Sequence, residues 1–228
     1  MKKIVFYILL ITLFLPFLLK AQTAEEIIQQ VKAKLEKVKD YEAKGTLKTN
    51  VTFIKVPVAS VKIYFKNPDK LKIKNESGIS FVPKGSVNLN MGNIFSKTSD
   101  YDIIDAGKEN KTGLRIIKLL PREDQSDIVL STLYIDEKRS LIKKAKTTTK
   151  ENGTYELEMT YGKYAAHGLA DKVIFTFNIK EYKLPKGVTF DYDDGTQKKK
   201  EIKDEKGRVE ISYSEYKINI GVPDSVFQ

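Results

Sequence analysis

At 228 residues, with 40 Lys and Arg against 30 Asp and Glu, the chain carries a formal charge of +10 and suits one sizeable domain. It has no cysteine, which excludes disulfides, thiolate metal sites, a cysteine nucleophile and a lipid-modified N-terminal cysteine. With a single histidine, any transition-metal site would have to be built from carboxylates.

Residues 1–21 read as a targeting segment. Lys2 and Lys3 precede an apolar run over residues 4–19 that is broken at Pro16, and Leu19-Lys20-Ala21 offers a small residue before a cut at Gln22. A membrane-spanning helix needs roughly 20 apolar residues, so a cleaved signal peptide is expected, followed by a single domain over 22–228. Cleavage removes three lysines and no acid, bringing the net charge to +7. An exported basic chain meets anionic lipid head groups and acidic envelope polymers rather than nucleic acid. Most of the charge also fits an ordinary solvated lysine surface.

Residues 23–40 carry the one long helical pattern. Ala24, Ile27, Ile28, Val31, Leu35 and Val38 recur at steps of three and four and form one apolar stripe. Thr23 with Glu26 reads as a capping box. From Thr46 the period changes to two. Leu47, Thr49, Val51 and Phe53 share a face, as do Val61, Ile63 and Phe65, and Leu71 and Ile73 continue the alternation after the turn Asn67-Pro68-Asp69. Weaker strands are expected over 79–82 and 87–91, and a short helix over 90–97.

Further strands are read over 101–105, 114–120, 128–135 and 141–149, with a hairpin at 136–140 and an Asn-Gly turn at Asn152-Gly153. The clearest alternation comes last, in Tyr155 to Tyr161, Val173 to Ile179 and Val209 to Tyr213. There the phase slips at Ser214-Glu215 before Tyr216, Ile218 and Ile220 resume it, which predicts a bulge. Residues 191–208 read as a hairpin tip, and Asp191–Gly195 within them as an Asp-Gly turn. About ten strands with short links predict a mainly β, α+β fold built on an antiparallel meander. The strands present more aromatic surface than one helix can cover. Either the sheet closes on itself or it leaves a cavity.

No catalytic constellation is present. His167 lies in a loop, and no nucleophile elbow, Walker loop, dinucleotide fingerprint or His-Glu-x-x-His occurs. The chain is expected to be neither an enzyme nor a metal or cofactor protein.

The helix ending Asp40-Tyr41-Glu42-Ala43-Lys44-Gly45, the run Tyr64-Phe65-Lys66-Asn67-Pro68-Asp69-Lys70-Leu71-Lys72-Ile73, the hairpin over 127–144 and the ending over 216–227 together resemble the LolA-like family of outer-membrane lipoprotein carriers and sorting proteins. The resemblance implies a strongly curved antiparallel sheet forming an open half-barrel, with the N-terminal helix and the short helix over 90–97 as a lid on an apolar cavity. It implies a periplasmic carrier, in a diderm bacterium, that takes acyl chains of lipoproteins or other lipids from an inner-membrane donor to an outer-membrane acceptor. The expected cavity residues are Ile27, Ile28, Val31 and Leu35 of the helix with Val61, Ile63, Phe65, Leu71, Ile73, Phe81 and Phe95, and polar substitution at Val31 is expected to harm lipid binding more than folding. In that family a basic residue before the turn proline latches the lid to helix carbonyls, and here Asn67 stands in its place, a weaker uncharged donor. A monomer is expected. An envelope regulatory protein of similar fold, sensing lipid or docking a membrane partner, is the alternative.

Overall fold

A computed structural model describes residues 22–51, 54–55, 58–77, 98–124, 126–178 and 206–228. The proposed signal peptide, the strands over 79–82 and 87–91, the short helix over 90–97 with Phe81 and Phe95, and residues 191–205 lie outside the described residues.

Helix α1 spans Ala24–Leu35 and begins where its capping box predicts: Thr23 Oγ1 accepts from Glu26 N–H at 3.2 Å and Glu26 Oε2 accepts from Thr23 N–H at 3.1 Å. It ends five residues before the periodicity does. The cause lies at the other end of the chain. Asn219, at a left-handed φ of 56°, donates from Nδ2 to Lys37 O at 3.0 Å and accepts from Lys39 N–H at 2.7 Å. This grip pulls residues 37–39 out of the helical path, and Val38, 2% exposed, keeps its apolar contact as part of a link rather than of the helix.

The strands are β1 (Asp40–Val51), β2 (Ile54–Lys55), β3 (Ala59–Lys66), β4 (Lys70–Ser77), β5 (Tyr101–Lys108), β6 (Arg115–Pro121), β7 (Ile128–Asp136), β8 (Leu141–Thr149), β9 (Gly153–Thr160), β10 (Lys172–Asn178) and β11 (Lys206–Ile218). Every pairing is antiparallel, in the order β4-β3-β1-β11-β10-β9-β8-β7-β6-β5, with β2 paired to β1 off this path. Among the described residues the path does not close, since its ends β4 and β5 are not neighbours. Leu71 near one end and Tyr101 at the other nevertheless pack against the same hydrophobic cluster, so the sheet is curved around α1. This is the open half-barrel of a mainly β chain. At β4, one end of this order among the described residues, stand lysines 70, 72 and 74, and a closing 3-10 turn, Asp224–Phe227, packs against it.

The predicted bulge is present. Lys44 of β1 pairs with Glu215, but Gly45 pairs with Tyr213, leaving Ser214 as the extra residue of β11. Its consequence is geometric. Residues 213 and 216 would face opposite ways on a regular strand, and the bulge turns both inward. At this point β1 and β11 approach so closely that a Cβ on Gly45 would lie 2.5 Å from the Ser212 carbonyl oxygen. Backbone cannot rotate away as a side chain can, so Gly45→Ala is expected to cost about 2 kcal/mol in urea unfolding.

Candidate functional site

The packing under α1 changes along the helix. In its first two turns Ala24, Ile27 and Ile28 are at most 4% exposed and, with Val61 and Ile63 of β3 and Ile117, Leu133 and Ile135, form a filled core. Beneath its last turn the packing opens into an apolar cavity of about 130 Å³. From the helix, Val31 and Leu35 line it one turn apart. The β3–β4 hairpin contributes Phe65 and Leu71, with Asn67 at the rim, and the other wall comes from Ile142, Met159, Tyr161, Leu169 and Val173.

The floor is aromatic. Tyr41 of β1 lies 5.1 Å from Phe65 and 5.2 Å from Tyr216, centre to centre, while Tyr213 stacks on Tyr216 at 4.9 Å. Tyr216 can sit there because its hydroxyl donates to Ala170 O at 2.7 Å, and the Tyr161 hydroxyl likewise donates to Ile142 O at 2.8 Å. Burial pushes the Tyr213 phenol up to about 12 and raises those of Tyr41, Tyr161 and Tyr216 well above the usual range. All four rings therefore stay neutral at ordinary pH. Charge is confined to the rim, where Lys32 and Glu36 pair at 3.9 Å.

Among the described residues the lining is largely apolar and offers no nucleophile paired with a base, and no three His, Asp or Glu side chains are grouped as metal ligands.

Of the residues expected at the cavity, Val31, Leu35, Phe65 and Leu71 line it. Ile27, Ile28, Val61 and Ile63 belong instead to the filled core, each at most 1% exposed, and Ile73 packs half-buried against that core without reaching the lining. Phe81 and Phe95 are outside the described residues. Val31 has two roles, being 2% exposed in the core as well as lining the cavity, so a polar group there would disturb folding too. Asn67 is held by its backbone, whose N–H donates to Lys39 O at 2.8 Å, beyond the helix rather than on it. The end of α1 is tied elsewhere: Lys34 Nζ donates to Arg139 O and Ser140 Oγ donates to Gln30 Oε1 at 3.4 Å.

The expected set omits most of the lining, including Tyr41, Met159, Tyr161, Val173, Tyr213 and Tyr216. A signal for two of them was present in the phase slip at Ser214, which places Tyr213 and Tyr216 on one face.

No protein-family profile and no curated protein sequence matches the chain. Solved structures do. An outer membrane lipoprotein-sorting protein domain from Vibrio parahaemolyticus superposes with a TM-score of 0.56 at 13% identity, over 90% of this chain and 97% of its own. A LolA superfamily protein from Nitrosomonas europaea gives 0.57 at 11%, over 91% and 98%, and a DUF1329 family protein from Desulfovibrio piger gives 0.53 at 13%, over 90% and 95%. The curved sheet, the helix α1 packed against it and these superpositions agree: the chain has the LolA-like fold.

Proposed function

We propose that this protein is a non-enzymatic envelope carrier that binds an acyl chain of a lipoprotein or lipid between the last turn of α1 and the concave face of the sheet. The observation that carries this reading is the neutral, aromatic-floored cavity, placed where the helix is held by few polar ties. The fold supports it by likeness, and the signal-like residues 1–21 support a periplasmic setting, with delivery from an inner-membrane donor to an outer-membrane acceptor.

The dimensions set how cargo is held. A dry cavity of about 150 Å³ admits a benzene ring, so 130 Å³ accommodates about six carbons of a chain. At about 0.8 kcal/mol per buried CH₂, six methylenes are worth about 5 kcal/mol. That is enough for weak binding only. A longer chain is covered by outward movement of the C-terminal end of α1, whose ties are few, while Ala24, Ile27 and Ile28 keep its first turns fixed.

Leu35 is the position that separates binding from folding, because it lines the cavity and is only half-buried. Leu35→Gln is expected to weaken a fluorescent acyl probe about tenfold, as the loss of one to two buried methylenes implies. Its unfolding free energy should fall by about 1 kcal/mol or less. Native mass spectrometry of protein purified from the envelope should show a lipid adduct. Absence of an adduct, together with no probe binding, would sink the proposal.

A further inference from the structure

Outside the paired Lys32 and Glu36 of the rim, five further cations, Lys34, Lys37, Arg139, Lys143 and Lys163, stand near the cavity mouth. On the outward face of the sheet four lysines are matched across strands: Lys44 with Glu215 at 3.8 Å, Lys144 with Glu156 at 2.9 Å, Lys172 with Glu210 at 2.9 Å and Lys217 with Glu42 at 3.6 Å. Lys48, Lys118 and Lys146 stand there singly, spread over three strands, whereas around the cavity mouth unmatched cations gather. Lys34 reaches the Arg139 carbonyl, and burial together with the nearby charges of Arg139 and Lys37 lowers its pKa, so three cations share one corner. Lys143 sits 5.3 Å from the ring centre of Tyr161, a lining residue, and Lys163 sits 5.1 Å from that of Tyr164, which packs edge-on against Tyr216 at 4.9 Å.

Among the described residues, none of Lys34, Lys37, Arg139, Lys143 and Lys163 forms an ion pair within 4.0 Å. Asp136 lies near Lys34, and its Oδ1 accepts from the Arg139 N–H at 3.2 Å, while Glu36 is taken by Lys32. The helix dipole accounts for cations in the last turn of α1. It does not account for Arg139, Lys143 and Lys163, which come from a hairpin turn, from β8 and from the β9–β10 connection.

We infer that this cationic rim docks the cavity mouth against an anionic phospholipid surface, so that the opening faces the bilayer from which, or to which, an acyl chain passes. The inference rests on the acyl-chain reading of the cavity. Its charge complementarity is with lipid head groups, since each basic side chain near an anionic leaflet adds favourable energy that salt screens.

The test is flotation with vesicles of phosphatidylcholine containing phosphatidylglycerol, against pure phosphatidylcholine, with acyl-probe binding measured in parallel. The rim variant carries Lys37→Gln, Arg139→Gln and Lys163→Gln, all exposed and none of them lining the cavity. The control carries Lys48→Gln, Lys111→Gln and Lys146→Gln, which remove the same charge elsewhere. Binding to the anionic vesicles alone is expected, weakened about a hundredfold in the rim variant. The control should weaken far less, and both should keep the probe affinity of the parent. Equal weakening in the two variants, no binding by the parent, or equal binding to neutral vesicles would overturn the docking inference. Intact probe binding in those cases would leave the acyl-carrier reading standing, whereas loss of probe binding in the parent would remove that reading itself.

Discussion

Replacement of Asp40 by alanine is expected to lower the unfolding free energy by about 3 kcal/mol. Asp40 is 7% exposed, and its Oδ1 accepts from the backbone N–H groups of Ile220 at 2.8 Å and Gly221 at 2.9 Å. Its own carbonyl accepts from Asn219 N–H at 2.8 Å. One carboxylate thereby joins the first residue of β1 to the segment that ends α1. Hydrogen bonds to a charged group are worth about 1.5–3 kcal/mol each. Ile220 is 52% exposed, so water replaces part of what is lost and the cost stays below the sum. Asp40→Asn keeps an acceptor oxygen and should recover about half of the loss. Urea unfolding of the three proteins checks this, and an alanine variant within 0.5 kcal/mol of the parent, the range of ordinary surface changes, would show that the lock contributes nothing. Because the same segment holds Lys37 and Lys39, Asp40→Ala should also free the end of α1 and speed release of an acyl probe.

The second large effect is on binding. Val173 points inward on β10, in phase with Phe175 and Phe177, but unlike them it borders the cavity. Val173→Phe places a ring inside a space of about 130 Å³ that holds little more than one. Acyl-probe affinity is expected to fall at least thirtyfold, about 2 kcal/mol. Stability should change by less than about 1.5 kcal/mol, because the ring fills a void instead of overpacking a dense core. A fall in affinity accompanied by a matching loss of stability would mean that the ring had disrupted the fold and would not count for the cavity.

Local chemistry specifies the start of α1, and the Thr23–Glu26 box is legible without any tertiary information. The end of α1 is set by Asn219, 180 residues distant from Lys39, and no local rule reports it. Alternation identifies which face of β3 is inward, yet it is silent about depth. Val61 and Phe65 share that face, one against the filled core and the other at the cavity. What separates them is where along the curved sheet the helix leaves off, a property of the strand order that brings β8, β9 and β11 opposite the β3–β4 hairpin. The phase slip at Ser214 was readable as a bulge. Its effect on the site becomes apparent only once β11 is seen to lie beside β1, with Tyr41 and Tyr216 in contact.

The proposed function requires the space beneath the last turn of α1 to be a binding site for an acyl chain and not a packing defect. Titration of saturated fatty acids of increasing length into the purified protein, followed by calorimetry, tests it most directly. Affinity should rise by about 0.8 kcal/mol per methylene over the first six or so carbons, with Val173→Phe abolishing the rise. Absence of binding at every chain length, or an equal rise in Val173→Phe, would contradict it.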